Sequence, residues 1–160
     1  MRIGVISDTH AHIHNTRSAV RMLESLDVEA VLHCGDICST EIPPLLAAWP
    51  THFVYGNCDN DLDSLRAAIE TAGLTCHALF GDFELGGRRI AQLHSHDIRL
   101  FRRVTTSGEY DLVCYGHTHV AEQHRAGRTL ILNPGALYRA DPHTLAIVEL
   151  DTLEATIVPL

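Results

Sequence analysis

The first half of the chain alternates between short apolar runs and segments whose apolar residues recur at helical spacing. The apolar runs predict buried strands over residues 2–7, 30–33 and 52–55. The segments between them predict three helices: one capped by Asn15 or Thr16, one over residues 42–49, and one that follows Asn60 or Asp61 and stops at Gly73. This β-α-β-α-β-α order predicts a parallel sheet with right-handed crossovers.

The second half of the chain is richer in strand patterns. We expect strands over residues 76–80, 83–85, 89–93, 111–115, 120–124, 129–132, 144–150 and 155–158. Gly86-Gly87 predicts a hairpin turn, and residues 98–106 predict a single short helix. These elements predict one domain over residues 1–160, of the α/β class, in which two sheets face each other and helices lie outside them.

Composition narrows the classes of function. Hydrophobic residues make up 46% and charged residues 20% of the chain, which is an ordinary globular balance without a disordered tract. No apolar run is long enough to cross a membrane, and the first residues lack the pattern of a signal peptide, so we expect a cytoplasmic protein. The net charge of −8 disfavours a nucleic-acid partner. The five cysteines include no C-x-x-C pair, and we expect them to be mostly buried and reduced.

Polar residues of the types that bind metals follow five of the predicted strands. They occur in the segments Asp8-Thr9-His10, Gly35-Asp36, Gly56-Asn57-Cys58-Asp59, His94-Ser95-His96 and Gly116-His117-Thr118-His119. Because the carboxyl ends of strands in α/β sheets converge on one crevice, we expect these side chains to meet there. Taken singly, Gly35-Asp36 and Gly56-Asn57 are each more typical of a turn. Their ordered conjunction favours a metal site, because so many buried polar groups would otherwise lack partners.

The spacing and chemistry of these residues suit divalent metals. Asp8 and His10, like His117 and His119, are two positions apart, so on extended backbone their side chains would point the same way. A glycine precedes several of them and allows a sharp turn. Carboxylate, imidazole and amide ligands suit Mn²⁺, iron or Zn²⁺, with Ni²⁺ as a further alternative. Two such ions close together can clamp a phosphoryl group.

The ordered set resembles the calcineurin-like metallophosphoesterases, in particular the small prokaryotic YfcE-like phosphodiesterases. That branch shares the Gly-Asn-Cys-Asp variant at residues 56–59 and a later Asn133-Pro134-Gly135. The resemblance implies a four-layer αββα sandwich, in which two facing mixed sheets are flanked by helices. It also implies two divalent ions per chain, Mn²⁺ first among them, and a hydroxide between the ions that attacks phosphorus in line.

The resemblance assigns the ligands of both ions. The first metal would be held by Asp8, His10 and His119, and the second by Asn57, His94 and His117, with Asp36 as the bridge. Asp36 and Asn57 are therefore candidate catalytic residues as well as ligands. Cys58 stands where many members of the superfamily have a histidine that helps the leaving group or the phosphate. Asp59 and His96 are the candidates for that missing role, although Asp59 has the alternative of orienting a ligand.

The function we expect is metal-dependent hydrolysis of a phosphodiester in a small molecule. A phosphomonoesterase is the first alternative, and a nuclease is a further one that the negative charge disfavours. A non-catalytic scaffold of the same fold belongs to another class, and the complete set of ligands argues against it. We expect no membrane partner, and the last hairpin could offer an edge for a homo-oligomer.

Two further groups of basic side chains each have two interpretations. Arg99, Arg102 and Arg103 would share one helix face, which could bind a second phosphate or could simply be solvated. His12 and His14 follow His10 and could line the rim of the site or lie in a surface loop.

Overall fold

A computed structural model describes all of the chain, residues 1–160, as eleven strands and four helices. In chain order the elements are β1 (Arg2–Ile6), α1 (Ile13–Ser25), β2 (Ala30–His33), α2 (Ile42–Leu45), β3 (Thr51–Phe53), α3 (Leu62–Thr71), β4 (Thr75–Cys76), β5 (Phe80–Leu85), β6 (Arg88–His94), α4 (Ile98–Thr106), β7 (Leu112–Gly116), β8 (Glu122–Ala126), β9 (Thr129–Asn133), β10 (Thr144–Glu149) and β11 (Glu154–Pro159).

The strands form two mixed sheets. The first has six strands in the order β11-β10-β1-β2-β3-β4, and the second has five in the order β5-β6-β7-β9-β8. Strands β1 to β4 are parallel, as the alternation in the first half predicts, and β10 and β11 extend that sheet antiparallel. In the second sheet β6, β7 and β9 are parallel, while the hairpin through Gly86-Gly87 adds β5 antiparallel.

Alternating side chains divide the interior into three apolar layers. On β1, Ile3 and Val5 face the second sheet, where they pack with residues such as Leu112, whereas Ile6 faces the helices on the other side. On β7, Val113 and Tyr115 face away from the first sheet and pack against α4. Helices α1, α2 and α3 therefore cover the first sheet and α4 covers the second. The expected four-layer αββα sandwich of two facing mixed sheets is confirmed.

Helix boundaries differ from the sequence expectation at two places. Helix α1 begins earlier than predicted because Nδ1 of His12 accepts a hydrogen bond from the amide of Asn15 and caps the helix. The Asn15 side chain instead donates to the carbonyl of Leu137 at 2.7 Å. Helix α2 ends at Leu45, where residues 42–49 were expected to be helical, and the chain continues in turns whose amides bond three residues back, such as Ala47 to Pro44.

Strand boundaries differ where the chain passes from one sheet to the other. Residues 76–80 were expected to form one strand, but β4 ends at Cys76 in the first sheet and β5 begins at Phe80 in the second. Ala78 lies between them with φ +57°, and its carbonyl accepts a hydrogen bond from Tyr55. A left-handed residue cannot continue a strand, so the run is broken there. None of the four helices is long and apolar enough to span a membrane.

Candidate metal centre

The loops that follow four strands converge at one end of the two facing sheets. Asp8 follows β1, Asp36 follows β2, His94 ends β6 and His119 follows β7. Backbone hydrogen bonds tie the first two loops together, since the amide of Asp8 donates to Gly35 at 3.0 Å and that of His10 donates to Asp36 at 2.9 Å. Residues that are distant in sequence are thus held beside one another by the ends of the strands.

Four donor side chains form a compact group. Asp8, His10, Asp36 and His119 each place a ligand-type atom within 4.8 Å of the others. Nε2 of His119 lies 3.2 Å from Nε2 of His10 and 3.2 Å from Oδ1 of Asp8. Oδ2 of Asp36 lies 3.6 Å from Nε2 of His10. Around an ion with bonds of about 2.1 Å, neighbouring ligand atoms lie about 3.0–3.4 Å apart, so this group fits a divalent ion.

A second set of donors faces the other oxygen of Asp36. Oδ1 of Asp36 lies 3.5 Å from Nε2 of His94, and the ring centroids of His94 and His117 are 5.1 Å apart. Asn57, which was expected to join these two histidines, is exposed, and its amide lies 3.6 Å from Sγ of Cys58. The structure therefore brings His94 and His117 together beside Asp36 and leaves the Asn57 side chain against Cys58.

Hydrogen bonds on the far side of two imidazoles fix which nitrogen faces the centre. Nδ1 of His94 donates to the carbonyl of Cys34 at 2.7 Å, and Nδ1 of His119 donates to the carbonyl of Arg139 at 3.3 Å. Because each Nδ1 carries the proton, each Nε2 keeps its lone pair for the centre. Ligand histidines in metal proteins are oriented by the same kind of outer hydrogen bond.

Two buried atoms in the centre lack hydrogen-bond partners. They are Oδ1 of Asp8 and Nε2 of His94, which lie 4.0 Å apart. Leaving one buried polar atom unpaired costs about 1–3 kcal/mol of folding free energy. Because both atoms face the same space, a cation bound there would interact favourably with both. An absence of thiolate ligands and a mixture of carboxylate and imidazole donors suit a divalent metal.

The pKa shifts of His10, His117 and Asp36 favour the forms that bind metal, whereas that of His94 favours the protonated ring. Burial lowers the pKa of His10 and of His117, so both imidazoles remain neutral. Burial raises the pKa of Asp36, but His94 and the Cys58 amide outweigh it, and the pKa of Asp36 falls below its ordinary value. Burial lowers the pKa of His94, but the carboxylates of Asp36 and Asp8 outweigh that effect and raise it. A bound cation would take the place of the proton that these carboxylates attract.

The backbone of the centre is strained rather than extended. Five expected ligands have positive φ, at Asp8 (+55°), His10 (+43°), Asp36 (+56°), His117 (+94°) and His119 (+60°). The expectation that Asp8 and His10, or His117 and His119, alternate along extended backbone is therefore wrong. Their side chains converge because each chain turns sharply at the end of its strand. Residues in this region of φ cluster at functional sites, where the surroundings impose the strain.

Two glycines permit the close approach of these loops. Gly35 has φ +97°, and a Cβ there would lie 2.7 Å from Nδ1 of His94. A Cβ at Gly116 would overlap the hydroxyl of Ser7 and lie 2.8 Å from Oδ2 of Asp8. The amide of His117 donates to that same Oδ2 at 3.1 Å. Both glycines are thus required by the packing of the donor side chains.

The two candidates for the missing histidine differ in their surroundings. The carboxylate of Asp59 is buried and accepts two backbone hydrogen bonds, from Cys38 and from Gly56, both at 2.7 Å. Burial raises the pKa of Asp59. His96 is exposed, and its ring centroid lies 5.5 Å from that of His94. Asp59 thus fastens two loops of the centre, while His96 stands at its opening.

Residues 138 and 139, which no sequence pattern indicates, reach the centre from a loop after β9. The ring of Tyr138 stacks on His12 with centroids 4.4 Å apart. Burial raises the pKa of Cys38 to about 12 and also raises that of Cys58, and the charge of Arg139 opposes both shifts. The sequence Asn133-Pro134-Gly135 predicts a turn at the start of this loop, but it does not indicate which of the following side chains faces the centre.

Known proteins are similar to this chain in sequence and in fold. The model of the calcineurin-like phosphoesterase superfamily domain matches residues 1–153. The phosphodiesterase MJ0936 of Methanocaldococcus jannaschii is 31% identical to this chain over 140 residues, which cover 84% of this chain and 83% of that protein.

Solved structures share the same fold. One described as a novel archaeal phosphodiesterase has a TM-score of 0.92 and 29% identity, and the match covers 100% of both chains. The phosphoesterase YfcE of E. coli has a TM-score of 0.69 at 17% identity, with 99% of both chains covered. Vps29 of Entamoeba histolytica has a TM-score of 0.71 at 19% identity and covers 100% of this chain and 99% of its own. At these last two identities the likeness concerns the fold alone.

Proposed function

Because this chain belongs to the calcineurin-like phosphoesterase superfamily, we propose that it is a metal-dependent phosphodiesterase that hydrolyses a small phosphate ester. The strongest support is a cluster of metal-ligand atoms that includes an unpaired buried oxygen. Asp8, His10, Asp36 and His119 place ligand-type atoms within 4.8 Å of one another, and Oδ1 of Asp8 is buried there without a hydrogen bond. The similarity of the phosphodiesterase MJ0936 to most of this chain supports a phosphodiester, and not a phosphomonoester, as the bond that is hydrolysed.

We propose two divalent ions per chain. Asp8, His10 and His119 would hold the first ion, and Asn57, His94 and His117 the second. Asp36 suits the bridging position because Oδ2 faces His10 at 3.6 Å and Oδ1 faces His94 at 3.5 Å. Asn57 would turn from Cys58 to complete the second set. When bound, the ions would lower the pKa of a water nucleophile and neutralise charge on the phosphoryl oxygens. Mn²⁺ is the first choice, and Ni²⁺, Zn²⁺ and iron suit the same ligands.

The protein's own groups keep Asp36 ionised and two of the ligand imidazoles neutral. Asp36 remains ionised because its pKa is lowered, and the lowered pKa values of His10 and His117 keep those rings neutral. Asp59 keeps the Gly56 and Cys38 amides in place, so its role is to position the loops that carry Asn57 and Asp36. His96, at the opening, is free to donate a hydrogen bond to a phosphoryl or leaving-group oxygen.

Arg139 would supply positive charge near Cys58, which stands where many relatives have a histidine. Burial raises the pKa of the Cys58 thiol, so Cys58 stays neutral and offers only a weak hydrogen bond. The exposed Arg139 guanidinium lies 5.8 Å from the ring of Tyr138, and its charge acts on Cys58, Cys38 and His10. Because a guanidinium keeps its proton, its contribution to phosphate binding and to the leaving oxygen would be electrostatic.

Metal reconstitution tests the proposed function. The protein is stripped of metal, supplied separately with Mn²⁺, Ni²⁺, Zn²⁺ or Mg²⁺, and assayed with bis(p-nitrophenyl) phosphate and p-nitrophenyl phosphate. We expect turnover to depend on metal, to be faster with the diester, and to fall by more than about 100-fold in Asp36→Asn, because that variant loses the bridging charge. Metal analysis of the active protein should give two ions per chain.

Asp27→Asn is the matched control for Asp36→Asn. Asp27 is exposed and has φ +53°, so the same replacement is made at the same backbone conformation away from the centre. We expect wild-type turnover from this control. Absence of turnover with every metal, or undiminished turnover in Asp36→Asn, would contradict a catalytic function and leave the scaffold alternative.

A further inference from the structure

A polar cavity of about 320 Å³ opens beside the metal centre. It lies between the loop after β2 and the start of α3, and its walls include Cys38, Thr40, Cys58, Asn60, Asp61 and Ser64. Its size is at the lower end of the range for small-molecule sites.

Two cysteines separate the cavity from the centre. Sγ of Cys38 lies 3.8 Å from Nδ1 of His10, and the amide of Cys58 donates to Oδ1 of Asp36 at 2.8 Å. Sγ of Cys38 also lies 3.6 Å from the Cys58 carbonyl, so the two cysteines form a shared border of the centre and the cavity. A group attached to a phosphate at the centre would extend past this border into the cavity.

The cavity walls present hydrogen-bonding groups that the protein leaves free. Asn60 donates its amide to the Cys58 carbonyl, which leaves its Oδ1 as an acceptor. Asp61 caps α3 through Oδ1, which accepts from the Ser64 amide, and the Ser64 hydroxyl also interacts with this carboxylate and lowers the pKa of Asp61. The Asp61 carboxylate and the Thr40 hydroxyl are exposed to the cavity. The free groups are thus mainly acceptors, and a ligand with several O–H donors would satisfy them.

The charge of the cavity excludes a second anion. Its walls contain the carboxylate of Asp61 and no arginine or lysine. Arg99, Arg102 and Arg103, which were considered for a second phosphate, lie on α4 against the other sheet and do not line it. An anionic substituent in this cavity would meet the like charge of Asp61, while the Arg139 charge that reaches Cys38 and Cys58 lies outside the cavity walls.

We propose that this cavity binds the retained alcohol of a phosphodiester substrate and that this alcohol is a polyol or sugar. Asn60 and Asp61 would accept hydrogen bonds from its hydroxyls, while Ser64 and Thr40 would both donate and accept. The inference rests on the proposed phosphodiesterase function and adds the class of substrate. It also predicts discrimination against an alcohol that carries a further phosphate.

Three p-nitrophenyl diesters with the same leaving group test this proposal. Their retained alcohols are glycerol, n-propanol and glycerol with a terminal phosphate. We expect kcat/KM for hydrolysis of the glyceryl ester, measured as glycerol phosphate formed by attack of water and not as its cyclic phosphate, to exceed that for the propyl ester by about 10-fold, since hydroxyls would pair with acceptors in the cavity. The phosphorylated ester should be the poorest substrate of the three.

Two variants locate the selectivity in the cavity. Ser64→Leu fills it with a residue that α3 accepts, and should bring the ratio of the glyceryl to the propyl ester close to one, mainly through KM. Asp61→Asn keeps an oxygen for the helix cap and removes the charge, so it should improve the phosphorylated ester relative to the other two. Ser25→Leu, on the exposed end of α1, is the control and should keep the wild-type ratios.

The outcomes separate this inference from the proposed function. Hydrolysis of all three esters at similar kcat/KM, or an unchanged ratio in Ser64→Leu, would overturn the polyol subsite and leave the phosphodiesterase standing. If none of the three is hydrolysed with any metal, the proposed function fails and the subsite fails with it.

Discussion

Arg139 is an exposed cation whose charge reaches the side chains of His10, Cys38 and Cys58. Its carbonyl accepts a hydrogen bond from His119, its φ is +58°, and its guanidinium carbon lies 5.8 Å from the ring of Tyr138. Tyr138 is in turn stacked on His12, so the loop is fixed against the start of α1. A strained, anchored residue with a free charge beside the centre is suited to bind the anionic part of a substrate.

Replacement of Arg139 tests this role. We expect Arg139→Gln to lower kcat/KM by about 10-fold with the diester and by more with p-nitrophenyl phosphate, because a monoester dianion carries more charge than a diester. Arg139→Lys should recover part of the loss, since it keeps the charge without the planar guanidinium. Steady-state kinetics with both substrates give the comparison.

Arg102→Gln serves as the control, because Arg102 is exposed on α4 and belongs to neither the centre nor the cavity. Equal losses with monoester and diester in Arg139→Gln would show that the loop had moved rather than lost a charge. Wild-type kinetics in that variant would remove Arg139 from the mechanism.

At the scale of elements, the sequence predicts those whose periodicity is undisturbed. Helix α4 spans residues 98–106 as expected, and α3 begins after the Asp61 cap and is followed by Gly73 at φ +75°. The predictions failed where a tertiary contact overrides the local pattern. His12 caps α1 although histidine is a rare cap, and the crossing at Ala78 divides a run that is continuous in sequence.

The sequence predicts which residues form the candidate site, but not the backbone conformation that brings them together. The sequence predicts that four ligand candidates meet, because each lies at or just after the end of a strand and parallel strands bring their carboxyl ends to one crevice. These residues are Asp8, Asp36, His94 and His119. The left-handed backbone at these residues arises from contacts between loops that are distant in sequence, so no local pattern contains it. The same holds for Arg139, whose approach depends on how the β9–β10 connection folds back.

The contact between β1 and α1 gives a prediction about packing. Gly4 lies on β1, and a Cβ there would overlap the buried side chain of Leu23 on α1. We expect Gly4→Ala to lower the free energy of unfolding by about 1–3 kcal/mol, because the layer between this sheet and its helices has no room for a methyl group. Urea denaturation measures the change.

A second substitution separates packing from strand propensity. Leu23→Val shortens the opposing side chain, so in the Gly4→Ala/Leu23→Val double variant the two losses should be less than additive. Strict additivity, or wild-type stability of Gly4→Ala, would mean that the helix moves away at little cost.

At the scale of the whole molecule, one polar cluster joins the two sheets. The rings of His52 on β3 and His77 after β4 are nearly coplanar, and their nitrogens Nδ1 and Nε2 lie 2.8 Å apart. Both rings stack on Phe83 of β5, with centroids 4.3 Å and 4.7 Å away. Gln92 of β6 donates to the carbonyls of His33 and His52, which adds hydrogen bonds between the sheets.

This cluster makes stability depend on pH in a defined direction. Burial, and then the neighbouring His77, lower the pKa of His52 from 6.5 to about 4, and burial lowers the pKa of His77. Above 6.5 both the folded and the unfolded chain have these rings neutral. Between 6.5 and about 4 the unfolded chain takes up protons that the folded chain refuses, so stability falls as the pH is lowered through this window.

His52→Phe should weaken that dependence, because phenylalanine keeps a ring against Phe83 and has no proton to take up. We expect the free energy of unfolding to fall less between about pH 7 and about pH 4.5 in the variant than in the wild type. Urea denaturation of metal-free protein at constant ionic strength gives the two curves, and His124→Phe on the exposed strand β8 controls for the added ring. Burial also lowers the pKa of His33 to about 3, so His33 lowers the free energy of unfolding at acidic pH in all three proteins. Its contribution cancels when the pH dependence of one protein is subtracted from that of another. Parallel curves for wild type and His52→Phe would mean that the joint between the sheets opens and admits the proton without loss of the fold.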